Sequence, residues 1–159
     1  MSRIVFTLAA ILAVSLVFSS DSKEAYVLIE SATPGILGAI LGGLTAGISI
    51  IFSVLLTSAS APNSKVELGR FKGFLSSLRK DIICLLLCLV ASLLLPYLRV
   101  TGIPLLSYPV HELVPSRDMF YTAVELAVIA VSVAIIIEVF NVMFTLFSHF
   151  TTLFDNKDS

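Results

Sequence analysis

Four stretches of the chain are apolar, and polar residues separate them. They are IVFTLAAILAVSLVF (Ile4 to Phe18), GILGAILGGLTAGISIIFSVLL (Gly35 to Leu56), IICLLLCLVASLLLPYL (Ile82 to Leu98) and a run from about Tyr121 to Phe150. A helix that crosses a bilayer needs about 20 residues, within a range of about 17 to 25. The second and third stretches meet this, the fourth exceeds it, and the first is short. The pattern predicts one all-α domain over 1–159, an integral membrane four-helix bundle with spans near 4–20, 35–57, 81–98 and 121–147. A basic segment at 64–80 and an outer loop at 99–119 join them.

The first stretch has a second reading. Arg3 with the apolar run and Val17-Phe18-Ser19 resembles a secretory signal with a weak cleavage site. With Met1 retained, the expectation is an uncleaved helix that borrows flanking residues to span.

Within the fourth stretch, Ala123, Ala127, Ala130, Ala134, Glu138, Asn141, Thr145, Ser148 and Thr152 recur every three or four residues. On a helix they form one seam, small in its first half and polar in its second. Phe140, Phe144, Phe147, Phe150 and Phe154 lie opposite. A spacing near 3.5 residues is that of a coiled-coil seam, so copies of this helix could pack about an axis. A carboxylate in hydrocarbon costs several kcal/mol, which makes Glu138 the residue to explain. In one reading it is a structural knot bonded to Asn141 or to hydroxyls of the second span. In the other, copies of it ring a pore and favour cations. Glu125 projects from another face near the outer end and is expected at the interface, paired with Arg99 or Arg117.

The second span carries small residues in steps of four, with Gly38–Gly42 and Gly43–Gly47 as GxxxG pairs. Such residues let membrane helices approach closely. Thr45, Ser49, Ser53 and Thr57 continue in steps of four as a hydroxyl stripe. Packing within the chain, with each hydroxyl bonded to the carbonyl four residues back, competes with a polar line facing water in an oligomer.

Composition agrees with lipid as part of the solvent. The chain is 57% hydrophobic and 13% charged, about half the charged share of a soluble domain. The net charge of -1 offers nothing to attract nucleic acid, so direct nucleic-acid binding is not expected. No phosphate-binding glycine loop and no HExxH is present. Cys84 and Cys88, four apart in an apolar run, read as packing residues, because two thiolates do not complete a zinc site. His111 and His149 can titrate near neutrality, but nothing marks either as a sensor or ligand. With no nucleophile–base pair and no metal constellation, the expectation is a non-enzyme without cofactor.

Lys65, Arg70, Lys72, Arg79 and Lys80 fall between the second and third spans, against Lys23 in the first connection and Arg99 and Arg117 in the third. The excess predicts a cytoplasmic middle loop and cytoplasmic N- and C-termini. Pro104, Pro109 and Pro115 make the outer loop a broken cap. In KVELGRFKGFLSSLRKD, Phe71, Phe74, Leu75 and Leu78 share helical spacing amid the basic residues. This predicts a short amphipathic helix on anionic headgroups, or a dock for a cytosolic partner. Gly69 and Gly73 would loosen it into a hinge.

The small-residue span, the basic loop GRFKGFLSSLRKD and the leucine-rich span, roughly Gly35 to Leu98, resemble small four-helix membrane proteins of bacterial antiphage systems. These are the Rex-type superinfection-exclusion channels and the membrane subunit of Kiwa-type systems. The resemblance implies a bacterial inner-membrane protein, often oligomeric, that depolarises the cell or acts with a cytosolic phage-sensing partner. It brings no catalytic residues. The expectation is a gated homo-oligomeric channel, tetrameric as a first guess. The alternative is a non-conducting scaffold that recruits a cytosolic effector through 64–80. A transporter half ranks last, since no internal repeat is visible.

Overall fold

The computed structural model describes residues 2–20, 22–59, 68–102 and 115–155, with side chains over 5–20, 22–53, 73, 75–102 and 115–145. The described elements are four helices: α1 (Ser2–Phe18), α2 (Lys23–Ala59), α3 (Leu68–Thr101) and α4 (Arg117–Asp155). The all-α expectation is met. Three of the helices contain apolar segments long enough to cross a membrane: Lys23–Ser53, Leu75–Thr101 and Arg117–Thr145. Their mean hydropathies are 2.0, 2.4 and 2.5, and this places the chain among membrane proteins.

Helix bounds differ from expectation in three places. α1 stops at Phe18, where the N–H and hydroxyl of Ser19 both donate to the carbonyl of Leu16, so it gains no length at that end. Its 17 residues reach about 26 Å, short of the roughly 30 Å of hydrocarbon. α2 begins at Lys23, twelve residues before Gly35, and runs through Pro34. α3 takes up the second part of the basic segment without a break, so Gly69 and Gly73 are not a hinge but lie inside one 34-residue helix. Lys65 lies outside the described residues, as do Pro104, Pro109 and His111.

α3 and α4 pack together, and specific bonds join the C-terminal end of α3 to the N-terminal end of α4. Gly102 adopts φ +73 and its N–H donates to the carbonyl of Leu98 at 2.8 Å, a left-handed cap that glycine takes without strain. The guanidinium of Arg117, first residue of α4, donates to the carbonyls of Leu98 (3.3 Å) and Arg99. Ser116 Oγ accepts the N–H of Met119 as the α4 N-cap, with Asp118 in the first turn.

The helices do not close into a symmetric four-way bundle. α2, α3 and α4 pack together, while α1 lies on α4. The core of the three-helix unit is Leu44, Leu78, Leu85, Ile135 and Val139, with Ile40, Ile48, Cys84 and Met143 against it. Both cysteines are free thiols, and Cys88 is buried. Leu87, Leu93, Leu94, Val100, Ile137 and Phe144 point outward, an apolar exterior suited to lipid.

This arrangement predicts unequal costs for identical truncations on α3. Leu85→Ala empties a core position and lowers stability by about 2–4 kcal/mol. Leu87→Ala, at an exposed position, changes it by less than about 0.5 kcal/mol. Thermal unfolding of both variants in the same detergent tests the assignment.

Candidate functional site: a buried ion cluster and an open polar seam

Two polar groups of residues stand out, at opposite ends of the three-helix unit. At the first, Arg99 near the end of α3 is only 7% exposed. Its Nε lies 3.2 Å from Glu30 Oε1 of α2, and its Nη2 lies 3.4 Å from Glu125 Oε1 of α4. Nη2 also donates to Thr122 Oγ1 at 3.1 Å. The Tyr26 ring stacks under the guanidinium at 3.9 Å, and the Tyr121 ring stands 6.0 Å away. One cation thus joins α2, α3 and α4. Guanidinium suits this task because it is planar, always charged and stacks on aromatic faces.

The expected pairing of Glu125 with Arg99 is present, and Glu125 is 4% exposed, buried among the helices. Glu30 and the burial of Arg99 escape a reading by periodicity. Both fall in stretches that look like polar connections. The available signal is charge: Glu30 and Glu125 sit near the N-terminal ends of α2 and α4, and Arg99 near the C-terminal end of α3, which the alternating helix directions bring together. Arg117, the other candidate partner, caps α3 instead.

At the second place lies the α4 seam. Its first half is covered in part: Ala123 is 1% exposed, and Ala127 is half-buried. Ala123 lies 16 residues before Val139, roughly 160° round the helix from that core residue. α1 packs along α4 as well. Ala130 and Ala134 are exposed, as are Glu138, Asn141 and Thr145. Ser148 is placed in α4, with its side chain outside the description.

Thr45 and Ser49 of α2 bond back along their own helix and not to Glu138. Thr145 likewise donates to the carbonyl of Asn141 at 2.8 Å. Asp81 of α3 is close enough to Glu138 for their charges to interact, and its Oδ2 is buried without a hydrogen-bond partner. Asp81 goes unnoticed in the sequence because it follows Arg79 and Lys80.

α2 turns its small face outward as well. A Cβ added at Gly38, Gly42 or Gly43 would meet nothing within 4 Å, and one at Gly47 only Met143 Cε at 4.0 Å. Thr45 and Ser49 are exposed and donate to the carbonyls of Leu41 (2.8 Å) and Thr45 (2.9 Å), the back-bonding expected of membrane hydroxyls. Ser53 is exposed too. Of the basic residues, Arg79 and Lys80 are exposed on α3, and Arg70 and Lys72 lie in its first turns with undescribed side chains. Among the described residues, no group of three potential metal ligands occurs.

No family model matches the chain, and no curated protein or solved structure is significantly similar to it. What fold and site define is a class: an α-helical membrane protein tied by a buried ion cluster, with a polar edge left open.

The cluster predicts a steep difference between cations. Arg99→Met leaves the buried carboxylate of Glu125 and the half-buried one of Glu30 without a counter-charge and costs about 3–5 kcal/mol. Lys80→Met, at an exposed position, changes stability by about 0–1 kcal/mol. Denaturation midpoints in detergent, with circular dichroism for helix content, measure both.

Proposed function

We propose that this chain is a membrane effector that assembles as a homo-oligomer and opens a gated cation path along the α4 edge. The observation that carries the reading is the exposure of Glu138, Asn141 and Thr145 in the single chain. A carboxylate left facing lipid is costly, so a second subunit or a water path should cover it. The open glycines of α2 favour the subunit, because small residues are what closely packed membrane helices present to one another. Asp81 beside Glu138 adds a second acid, and acidic rings attract cations.

In this reading the Arg99 end faces out of the cell. The α2–α3 connection and both termini lie in the cytoplasm of a bacterium, and α1 crosses the inner membrane alongside α4. The resemblance to antiphage membrane proteins supports a role in defence by depolarisation, with a tetramer as the first assembly to test. A second reading, a scaffold that conducts nothing, is favoured by one feature. The basic segment runs into α3 without a break, so a cytosolic partner bound to Arg79 and Lys80 would pull directly on the core helix.

Membrane potential followed with a dye in cells expressing the chain separates the two. Wild type should depolarise the cells when triggered, and Glu138→Gln should reduce the effect at least about tenfold. If wild type never depolarises them, conduction is wrong, and charge reversal at Arg79 and Lys80 in a pull-down becomes the test of the scaffold.

The assembly makes its own prediction. Gly42→Leu and Gly43→Leu should leave the monomer fold intact, since both positions are exposed and an added Cβ meets nothing within 4 Å. Cross-linking in native membranes should nevertheless shift from oligomer to monomer.

A further inference from the structure

A small cavity between α2, α3 and α4 is lined by Ile29, Glu30, Thr33, Ser92 and Glu125. It has room for about one water molecule. Two helix interruptions meet there. Pro34 has no N–H to give the carbonyl of Glu30, and Pro96 has none for the carbonyl of Ser92. Within a membrane, carbonyls released in this way must find other donors. Both belong to residues that line the cavity.

The charges at this cavity do not balance. Two carboxylates, of Glu30 and Glu125, face the single guanidinium of Arg99. Glu125 is more than nine-tenths buried, and neither of its carboxylate oxygens has a hydrogen-bond donor. Glu30 Oε1 is likewise buried without one. The two carboxyls contact the same guanidinium and line the same cavity. The remaining groups that face the pair are Tyr26 from α2, and Tyr121 and Thr122 from α4. None of them is a cation; the other guanidinium nearby, of Arg117, lies 5.7 Å over the Tyr121 ring and donates to the backbone carbonyl of Arg99, with no ion pair to either carboxyl.

We infer that Glu30 and Glu125 form a proton-binding site, one proton shared between the two carboxyls beside Arg99 at the junction of α2, α3 and α4. Like charges this close do not both ionise in a poorly solvated place, and one proton removes the excess negative charge. It also converts two acceptors into a donor and an acceptor, so each carboxyl gains a partner. An alkali cation fits less well. The guanidinium 3.4 Å from Glu125 repels it, and a cavity for one water leaves no room for a coordination shell. Loss of the proton restores repulsion between α2 and α4 next to the two prolines, where both α2 and α3 lack a helical bond. The site is then a pH-sensitive joint. It does not rest on conduction, because it lies at the other end of the unit from Glu138.

The test uses the full chain in lipid nanodiscs. Infrared spectra at about pH 7 should contain a protonated carboxylic-acid band that shifts in heavy water. Glu125→Gln and Glu30→Gln should each abolish it, and Glu138→Gln should not. The folded chain binds one more proton than the unfolded chain between about pH 5 and the point where the pair ionises, so stability falls as pH rises through that window. The wild-type melting temperature should therefore drop as pH rises from about 5 to the point where the pair ionises and level off beyond it, equally in sodium and choline chloride, and stay level throughout in Glu125→Gln. If that variant does not fold, Glu30→Gln serves, and the wild-type band and salt comparison stand alone. A wild-type spectrum without the band, or a band that persists in both glutamine variants, overturns the proposal. Sodium-specific recovery of the melting temperature at high pH would overturn it in favour of a metal cation.

Discussion

The structure depends on one guanidinium. A buried arginine in a helical membrane protein has to be matched by charge and by hydrogen bonds, and a partner lost leaves an uncompensated ion. Arg99 finds its partners on two other helices: Glu30 and Tyr26 on α2, Glu125 and Thr122 on α4. Each pair requires a definite rotation of its helix about its own axis. Apolar packing alone would not impose this, because lipid is as good a solvent for leucine as a neighbouring helix is. The ion cluster therefore selects which face of α2, α3 and α4 turns inward. The core of Leu44, Leu78, Leu85, Ile135 and Val139 follows further along the same faces.

Selecting the inward faces also selects the outward ones. With Val139 and Ile135 committed to the core, Glu138 and Asn141 on the neighbouring edge of α4 are left exposed. With Leu37 and Leu44 buried on α2, Gly42 and Gly43 turn outward. Among the described helices α1 packs on α4 alone, and it leaves Ala130, Ala134 and the polar half of the seam exposed. The polar half of that seam and the glycine face of α2 are thus consequences of one joint at the other end of the molecule.

The sequence told the existence of the helices well and their limits poorly. Apolar runs are direct evidence of burial in lipid or protein, so all four helices were visible. The first twelve residues of α2 were not, because Glu24, Glu30 and Pro34 carry every local sign of a connection. Their helix is stabilised by a contact with Arg99, about seventy residues away, which no local pattern encodes. For the same reason Gly69 and Gly73 suggested a hinge that the continuous α3 does not have. Back-bonding of Thr45 and Ser49 and the Glu125–Arg99 pair were legible, the first as a local rule and the second from charge at matching helix ends. The division along α4, with Ala123 and Ala127 covered and Ala130, Ala134, Glu138, Asn141 and Thr145 exposed, was hidden because all share one seam.

The most direct test of this account is the environment of single cysteines placed along α4 from Glu125 to Thr145, in a background lacking Cys84 and Cys88. Reactivity with a water-soluble thiol reagent in intact membranes would be read position by position. The account predicts reaction at positions 138, 141 and 145 and protection at 132, 135 and 139, a pattern with the period of one helix edge. Protection at Glu138 and Asn141 together with labelling at Val139 would mean that Arg99 does not orient α4 as described.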